Sequence, residues 1–120
     1  MVNAASAGQL RFRVRFDKPV STEDPAGGST QAFVEQFTRW ADIRPMRGGE
    51  GVQAQRLQGT QPVLIIVRRD SSTTQINETW RAVEMLNGAE VRAYAVKTAE
   101  DMERSRTFLT LVAIAGEADL

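Results

Sequence analysis

Three carboxylates stand close together in the sequence, at Glu100, Asp101 and Glu103, and could serve acid–base chemistry or hold a cation. Hard cations usually take oxygen ligands from a shaped loop or from several elements, and no such pattern follows this cluster. Arg104 and Arg106 stand beside the carboxylates, so the charges can pair among themselves. We therefore interpret the cluster as a solvated, self-paired face and predict no metal site.

Residues 49–54, with the sequence Gly-Glu-Gly-Val-Gln-Ala, fit the dinucleotide pattern G-x-G-x-x-A. A dinucleotide site needs a buried parallel strand before the glycines and a full helix after them in a β–α–β unit. Here Pro45 precedes the glycines, and Pro62 follows the short segment closely. We therefore interpret these residues as part of a flexible loop and predict no cofactor.

The chain of 120 residues contains no histidine and no cysteine. Their absence excludes a Ser-His-Asp triad, a Cys-His pair, a zinc site of the usual ligands and any disulfide. Enzymes can work without these residues, but no site in this sequence supports an enzyme. Fifteen basic side chains balance fifteen acidic ones, so no net charge draws the chain to DNA or to an anionic membrane. The longest apolar run, residues 63–67, is far shorter than the ~20 residues that span a bilayer.

Arginine supplies thirteen of the fifteen basic side chains, and three arginines form a regular row. Arg11, Arg13 and Arg15 alternate with apolar residues, which places them on one face of a strand. This face is a protein–protein interface, for which arginine is well suited, or a solvated face whose charges discourage edge pairing, with contact to phosphate as a third alternative. Trp40 lies off the apolar parity of its strand, so it is either an interface anchor or a core residue displaced by a bulge.

Strands with a side-chain period of two must position these residues. Residues 10–17 form the first strand, which we expect to end at Lys18-Pro19 because proline cannot continue a ladder. Residues 21–30, which contain Asp24-Pro25-Ala26-Gly27-Gly28, form a loop, and residues 32–46 form the second strand. Arg39 occupies a core position of that strand, which predicts a bulge or twist near Arg39 and Trp40. The first strand directs four side chains towards the core: Leu10, Phe12, Val14 and Phe16.

Four further strands and one turn complete the prediction. Residues 52–57 form a short helix within a glycine-bounded loop at residues 46–60, and residues 63–67 form a central strand. Residues 80–86 and 91–96 form a hairpin through Asn87-Gly88, which favour a type I′ turn. Residues 98–101 resemble a helix cap, and residues 106–115 form the last strand. The sequence thus predicts one domain over residues 1–120, a small antiparallel β-barrel or sandwich of about six strands.

An ordered set of residues resembles the phage head–tail joining proteins, also called head–tail adaptors or head-closure stoppers, of tailed phages and gene transfer agents. The similarity covers roughly residues 8–116, nearly the whole chain. It consists of Gly8-Gln9-Leu10-Arg11, Trp40-Ala41-Asp42-Ile43-Arg44-Pro45, Arg47-Gly48-Gly49-Glu50, Ala54, Arg56-Leu57, Gly59, Gln61-Pro62, Val67-Arg68, Ile76, Trp80, Tyr94 and Phe108-Leu109-Thr110-Leu111.

The resemblance implies a small β-barrel subunit of the virion, assembled in the bacterial cytoplasm. Its copies are expected to form a ring between a portal-side adaptor protein and the tail terminator or other tail proteins. Such a ring helps to retain packaged double-stranded DNA, without sequence specificity, and gives the tail a docking surface. The resemblance implies no catalysis, no cofactor and no membrane.

The glycine-bounded loop is the predicted contact with partners or with the channel, because long loops on a rigid barrel are where binding usually lies. Its candidate residues are Arg47, Gly48, Gly49, Glu50, Gln53, Gln55 and Arg56. A different class of function also stays open, namely a small β-barrel module that binds a peptide or single-stranded nucleic acid. The balanced charge argues against nucleic acid, since single-strand binders use a basic groove with exposed stacking rings.

Overall fold

Six β-strands make up most of the computed structural model, which describes Gly8 and residues 10–46, 61–100 (residue 100 by its backbone only) and 107–115. A 3-10 turn at Thr73–Gln75 links the third and fourth strands. The strands are β1 (Phe12–Glu23), β2 (Ser29–Pro45), β3 (Gln61–Arg68), β4 (Arg81–Leu86), β5 (Ala89–Glu100) and β6 (Phe108–Ala115). The predicted helix at 52–57 and all but the first residue of the loop at 46–60 lie outside the described residues.

The strands close into an antiparallel barrel in the order β1-β2-β3-β6-β5-β4, with β4 pairing back onto β1. This confirms the predicted fold class, a small antiparallel barrel or sandwich of about six strands, and of the two forms the structure is the closed barrel. Closure gives every strand two neighbours within the barrel body, so no long sheet edge is left open there. The described residues contain no helix long and apolar enough to cross a membrane.

The barrel core follows the period of two that the sequence shows. Val14 and Phe16 of β1 are fully buried, as predicted, whereas Phe12 is 38% exposed and Leu10 is only half-buried. Those two predictions were wrong because both residues lie at the rim, where the barrel has no further layer to cover them. β3 is buried on both faces, as its continuous apolar run predicts. The largest fully buried apolar side chains are Phe16, Ile65, Leu111, Val14, Val67, Val83 and Val96.

The hairpin between β4 and β5 has the predicted turn. Asn87 has φ 53° and Gly88 has φ 80°, which are the two positive values that a type I′ turn requires. The strands it joins, Arg81–Leu86 and Ala89–Glu100, pair from Leu86 opposite Ala89, with one register shift between Glu84 and Met85 where the pairing skips Val91. This local signal is therefore confirmed.

β1 does not end at Lys18-Pro19 but runs through Pro19 to Glu23, which corrects the predicted boundary. The pairing of β1 with β4 stops at Asp17 opposite Arg81, so Pro19 lies where β1 has β2 as its one strand neighbour. Proline is tolerated in such an edge position because no second strand needs its missing N–H. The predicted boundary was wrong because proline is compatible both with the end of a strand and with a strand at the edge of a sheet.

The extension of β1 and its partner form a two-stranded hairpin that leaves the barrel, here called the arm and defined as residues 18–34. Lys18 to Glu23 pair with Ser29 to Val34, and among the described residues neither segment pairs with another strand. The turn at the tip is narrower than the predicted loop, because the Gly27 N–H donates to the Asp24 carbonyl and the Asp24 N–H to the Gly28 carbonyl.

Two further predictions of local structure were wrong. The irregularity in β2 is at Gln36, since Phe16 pairs with Phe37 while Asp17 pairs with Glu35, and not at Arg39 and Trp40. Residues 98–100 continue β5 as a strand instead of starting a helical turn. Their pairing with residues 110–112 of β6 outweighs the weak capping signal, because a continuous ladder forms more backbone hydrogen bonds than one isolated turn.

Candidate functional site

Arg13 and Trp40 are cross-strand partners at one rim of the barrel. The guanidinium carbon of Arg13 lies 4.8 Å from the centre of the Trp40 ring, and Trp40 is 53% exposed. The register places both side chains on the outer face, because their neighbours Val14 and Ala41 point into the core. An exposed cation–π pair of this kind contributes roughly 0.5–1 kcal/mol, so it orders the two side chains without removing them from solvent.

The row of outward-facing side chains continues onto the next strands. Ala41 pairs with Val67, so Arg68 is the next residue along β3 beside Trp40. Arg68 in turn pairs with Phe108, and its guanidinium carbon lies 6.0 Å from that ring. Leu10, Arg11, Trp40 and Arg68 line one shallow groove. We call this group, together with Arg13, the Arg–Trp surface.

The guanidinium groups of the Arg–Trp surface are free to bind an anionic group of another molecule. Within the described part of the chain, no carboxylate forms an ion pair with Arg11, Arg13 or Arg68. Arg11 and Arg68 are exposed, and Arg13 is half-buried against Trp40. Arginines held beside an exposed indole can bind carboxylates or phosphates of another molecule.

Arg15, the third member of the predicted row, has a different environment. Its Nε donates to Asp17 Oδ1 at 2.8 Å, and its Nη2 lies 2.8 Å from Glu90 Oε1. The hydrogen bond to Asp17 raises the pKa of Arg15 although burial acts in the opposite direction. The predicted row therefore divides: Arg11 and Arg13 join the Arg–Trp surface, whereas Arg15 belongs to an internal ion-pair network.

Asp17 is the centre of that network and is only 1% exposed. Besides Arg15, it accepts hydrogen bonds from Arg81, whose Nη2 and Nε lie 2.6 Å and 2.9 Å from Asp17 Oδ2. A buried carboxylate needs such partners, since an unpaired buried charge is costly. The guanidinium of Arg81 also lies 4.5 Å from the Phe33 ring. Arg81 therefore joins the barrel to the base of the arm.

The arm combines exposed apolar side chains with an acidic tip. Val20, Phe33 and Val34 are 38%, 41% and 46% exposed. Glu23 and Asp24 are exposed at the tip, and Lys18 is the single basic residue of the arm. An isolated two-stranded hairpin is marginally stable in water, so a partner that covers these side chains would stabilise it.

Arg39, the polar residue at a core position of β2, is accommodated by a neighbouring loop. Its Nε donates to Asp70 Oδ2 at 3.2 Å, and its guanidinium stacks 4.7 Å from the Phe37 ring. Burial opposes ionisation of Asp70, but hydrogen bonds from the Thr73 N–H, Arg39 and the Ser72 N–H outweigh it and lower its pKa. This ion pair is structural and adds no reactive group.

The other candidate residues are only partly covered by the structure. The loop candidates Arg47, Gly48, Gly49, Glu50, Gln53, Gln55 and Arg56 lie outside the described residues, as do Asp101, Glu103 and the side chain of Glu100. Among the residues that are described, no group of three or more carboxylates is placed to hold a metal ion. Of the Arg–Trp surface, sequence reasoning singled out Arg11, Arg13 and Trp40 but not Arg68, and it did not single out the arm.

A family model described as phage head completion protein matches residues 5–116 of the chain. The solution structure of protein SF1141 from Shigella flexneri 2a superposes with a TM-score of 0.67 at 22% identity, covering 96% of this chain and 100% of that one. A chain from the virion of a native gene transfer agent particle superposes with a TM-score of 0.58 at 18% identity, covering 90% and 98%. No curated protein matches significantly. At these identities the two structures show a shared fold.

Proposed function

The chain belongs to the phage head completion protein family, and on that premise we propose that its copies form a ring between the portal-side adaptor and the tail of a phage or gene transfer agent particle. Family membership makes it a structural protein of the virion and not an enzyme. The ring, its two neighbours and its part in retaining packaged DNA are the content of the proposal. The match over residues 5–116 is the observation that supports it, because it spans nearly the whole chain.

The distribution of side chains supports a role in assembly. The barrel is closed around a buried core, while the arm carries exposed apolar side chains and the Arg–Trp surface carries arginines that form no ion pair within the described residues. Exposed aromatic and arginine side chains are typical of protein–protein contacts. A rigid barrel with projecting contact elements fits a subunit that must hold one geometry while it binds several neighbours.

The glycine-bounded loop is proposed as the segment that contacts a neighbour or narrows the channel. Four glycines, at Gly48, Gly49, Gly51 and Gly59, make this segment costly to order in an isolated subunit. Its polar side chains offer many hydrogen-bonding groups and little apolar surface for packing on its own barrel. Ordering coupled to a contact in the ring would offset that cost.

Electron microscopy of particles tests the proposed function. Particles that contain the protein should show a ring between the portal-side adaptor and the tail into which the six-stranded barrel fits. Particles made without the protein should consist of heads that lose DNA or do not join tails. Normal DNA-filled, tailed particles in its absence would contradict the proposal.

A second candidate, a module that binds single-stranded nucleic acid, is favoured by one observation. The Arg–Trp surface places an exposed indole among three arginines, a combination on which a base can stack and a phosphate can pair. Quenching of tryptophan fluorescence by an unlabelled oligothymidine at low salt tests it. Because Trp80 is buried, Trp40 is the indole that such a ligand would reach.

A further inference from the structure

We propose that the arm of one copy docks on the Arg–Trp surface of the next copy, and that this contact closes the ring. The inference rests on the proposed ring function and assigns its interface. It commits to a second copy of the same chain as the occupant of the Arg–Trp surface. Three features support it: the placement of the two surfaces, their opposite charges and their exposed apolar groups.

The two surfaces lie at opposite ends of the same pair of strands. Arg13 pairs with Trp40 near the start of β1, whereas Glu23 pairs with Ser29 at its end, beside the arm tip. β1 has 12 residues and, at about 3.3 Å per residue, spans roughly 40 Å. The arm therefore cannot reach the Arg–Trp surface of its own chain. A contact between them joins two copies through different patches, which gives a head-to-tail interface that closes into a ring when the rotation allows it.

The charges of the two surfaces are complementary. The arm tip presents the carboxylates of Glu23 and Asp24, and within the described residues neither forms an ion pair. The Arg–Trp surface presents Arg11, Arg13 and Arg68. Arginine binds carboxylates with two parallel hydrogen bonds, which fixes the orientation as well as the pairing. The whole chain has a formal charge of zero, but the arm tip is locally negative and the Arg–Trp surface is locally positive.

Apolar side chains would be buried by the same contact. Val20 and Val34, which the register places on one face of the arm, and Trp40 on the Arg–Trp surface are each more than a third exposed. Tryptophan and arginine at the centre of an interface are the residue types that most often dominate binding energy. The arm, as an isolated hairpin, would gain order from the contact.

A second copy of the chain accounts for both exposed surfaces, whereas a nucleic acid accounts for only one of them. A nucleic acid would neutralise Arg11, Arg13 and Arg68 but would leave the acidic, apolar arm uncovered and would repel its tip. One contact between two copies covers both surfaces at once. In a closed ring every copy makes this contact twice, once with its arm and once with its Arg–Trp surface.

Cross-linking in assembled particles tests the contact, because the chain has no native cysteine to interfere. The double variant Thr22→Cys/Leu10→Cys has one thiol on the arm and one in the groove of the Arg–Trp surface. A short bismaleimide should convert it into a ladder of oligomers longer than a dimer. Each single variant should stay monomeric, and so should the matched control Thr22→Cys/Glu78→Cys, whose second thiol lies on an exposed residue of the loop before β4.

The outcomes separate the interface from the function. A ring seen by electron microscopy with no ladder from the double variant, or with an equal ladder from the control, overturns the proposed interface and leaves the proposed function standing. Absence of the protein from the head–tail junction overturns both. A product that stops at a dimer also contradicts the interface, because a two-fold contact cannot continue around a ring.

If the cysteine variants do not assemble, the proposed contact is tested by exchanging the charges of Glu23 and Arg68. Glu23→Arg alone and Arg68→Glu alone should each lower the yield of joined particles at least tenfold. The two substitutions together should restore at least half of the wild-type yield, because the ion pair re-forms with its polarity reversed. Failure of the double variant to recover above the single variants overturns the contact. Binding of oligothymidine that competes with ring formation would instead favour the nucleic-acid alternative.

Discussion

Asp17 accepts two hydrogen bonds from Arg81, which lies 64 residues further along the chain, and their closest atoms are 2.6 Å apart. The carboxylate is 1% exposed, and the Arg81 side chain is 14% exposed. Asp17 is also the last residue of β1 that pairs with β4. The ion pair therefore closes the barrel at the position where the arm leaves it.

Asp17→Ala should lower the free energy of unfolding by about 2–4 kcal/mol, because it leaves Arg15 and Arg81 partly buried without their shared carboxylate. Chemical denaturation followed by circular dichroism measures the change. The matched control is Glu90→Gln, which removes the other, more exposed partner of Arg15 and should cost less than about 1 kcal/mol. Equal effects of the two substitutions would contradict a special role for the buried carboxylate.

The sequence predicts those parts of the fold that depend on neighbours in the chain. The alternation in β1 and the apolar run of β3 identify strands directly, and Asn87-Gly88 identify a turn whose positive φ values few other residues adopt. Arg11, Arg13 and Trp40 could be singled out for the same reason, since the period of two assigns a face without knowledge of the partner strand.

The features that the sequence does not predict depend on pairing between distant segments. Proline is excluded from a strand that pairs on both sides, but Pro19 is tolerated in the arm. The reason is that the pairing of β1 with β4 ends at Asp17, which the sequence does not reveal. Thr98 starts a pattern typical of a helix cap, but in the structure it pairs with Val112 of β6 and belongs to a strand. Asp17 could not be identified because its partner Arg81 is brought to it by closure of the barrel.

Stability should fall in acid partly through Asp70, because the hydrogen bonds that its carboxylate accepts in the folded state lower its pKa below the usual value of an aspartate. The unfolded state then binds more protons in the window just below that value, so the free energy of unfolding decreases as the pH falls through it. Asp70→Asn should flatten this part of the profile between about pH 5 and pH 2. Denaturation across that range measures it, with Glu78→Gln in the same loop as the charge-matched control. Parallel profiles for Asp70→Asn and wild type would contradict the assignment.

Gly88→Ala should destabilise the protein by about 1–2 kcal/mol, because Gly88 has a positive φ that a Cβ disfavours. No atom lies within 4 Å of the added Cβ, so a clash cannot account for the loss. The matched control is Gly28→Ala, whose Cβ meets its nearest atom at an ordinary 4.0 Å and whose φ is not positive. Thermal unfolding compares the two. An unchanged melting temperature for Gly88→Ala would contradict the turn assignment.

Replacing residues 52–58 by a glycine–serine linker of equal length should leave the barrel folded and impair particle maturation. The expectation follows from the proposed role of the glycine-bounded loop, whose polar groups serve a contact outside their own barrel. Circular dichroism of the subunit and counts of DNA-filled, joined particles measure the two effects separately. Wild-type yields of joined particles would refute the proposed role, and an unfolded subunit would assign the segment to the core instead.

Trp40→Ala should reduce joined particles strongly while changing the free energy of unfolding by less than about 1 kcal/mol. The side chain is 53% exposed and packs mainly on Arg13, so its loss opens no cavity in the core. Within the proposed interface, however, it is the one large aromatic of the Arg–Trp surface, and removing such an anchor commonly costs more than 2 kcal/mol of binding.

The control for this variant is Val91→Ala, which shortens another exposed apolar side chain, 46% exposed, on β5. Both variants should unfold close to wild type, because neither side chain belongs to the core. Joined particles and cross-linked ladders should be lost with Trp40→Ala and kept with Val91→Ala. If both variants assemble equally well, Trp40 is an ordinary exposed residue and the Arg–Trp surface is not the contact. If Trp40→Ala instead unfolds readily, its pairing with Arg13 serves the barrel, and the interface must lie on another face.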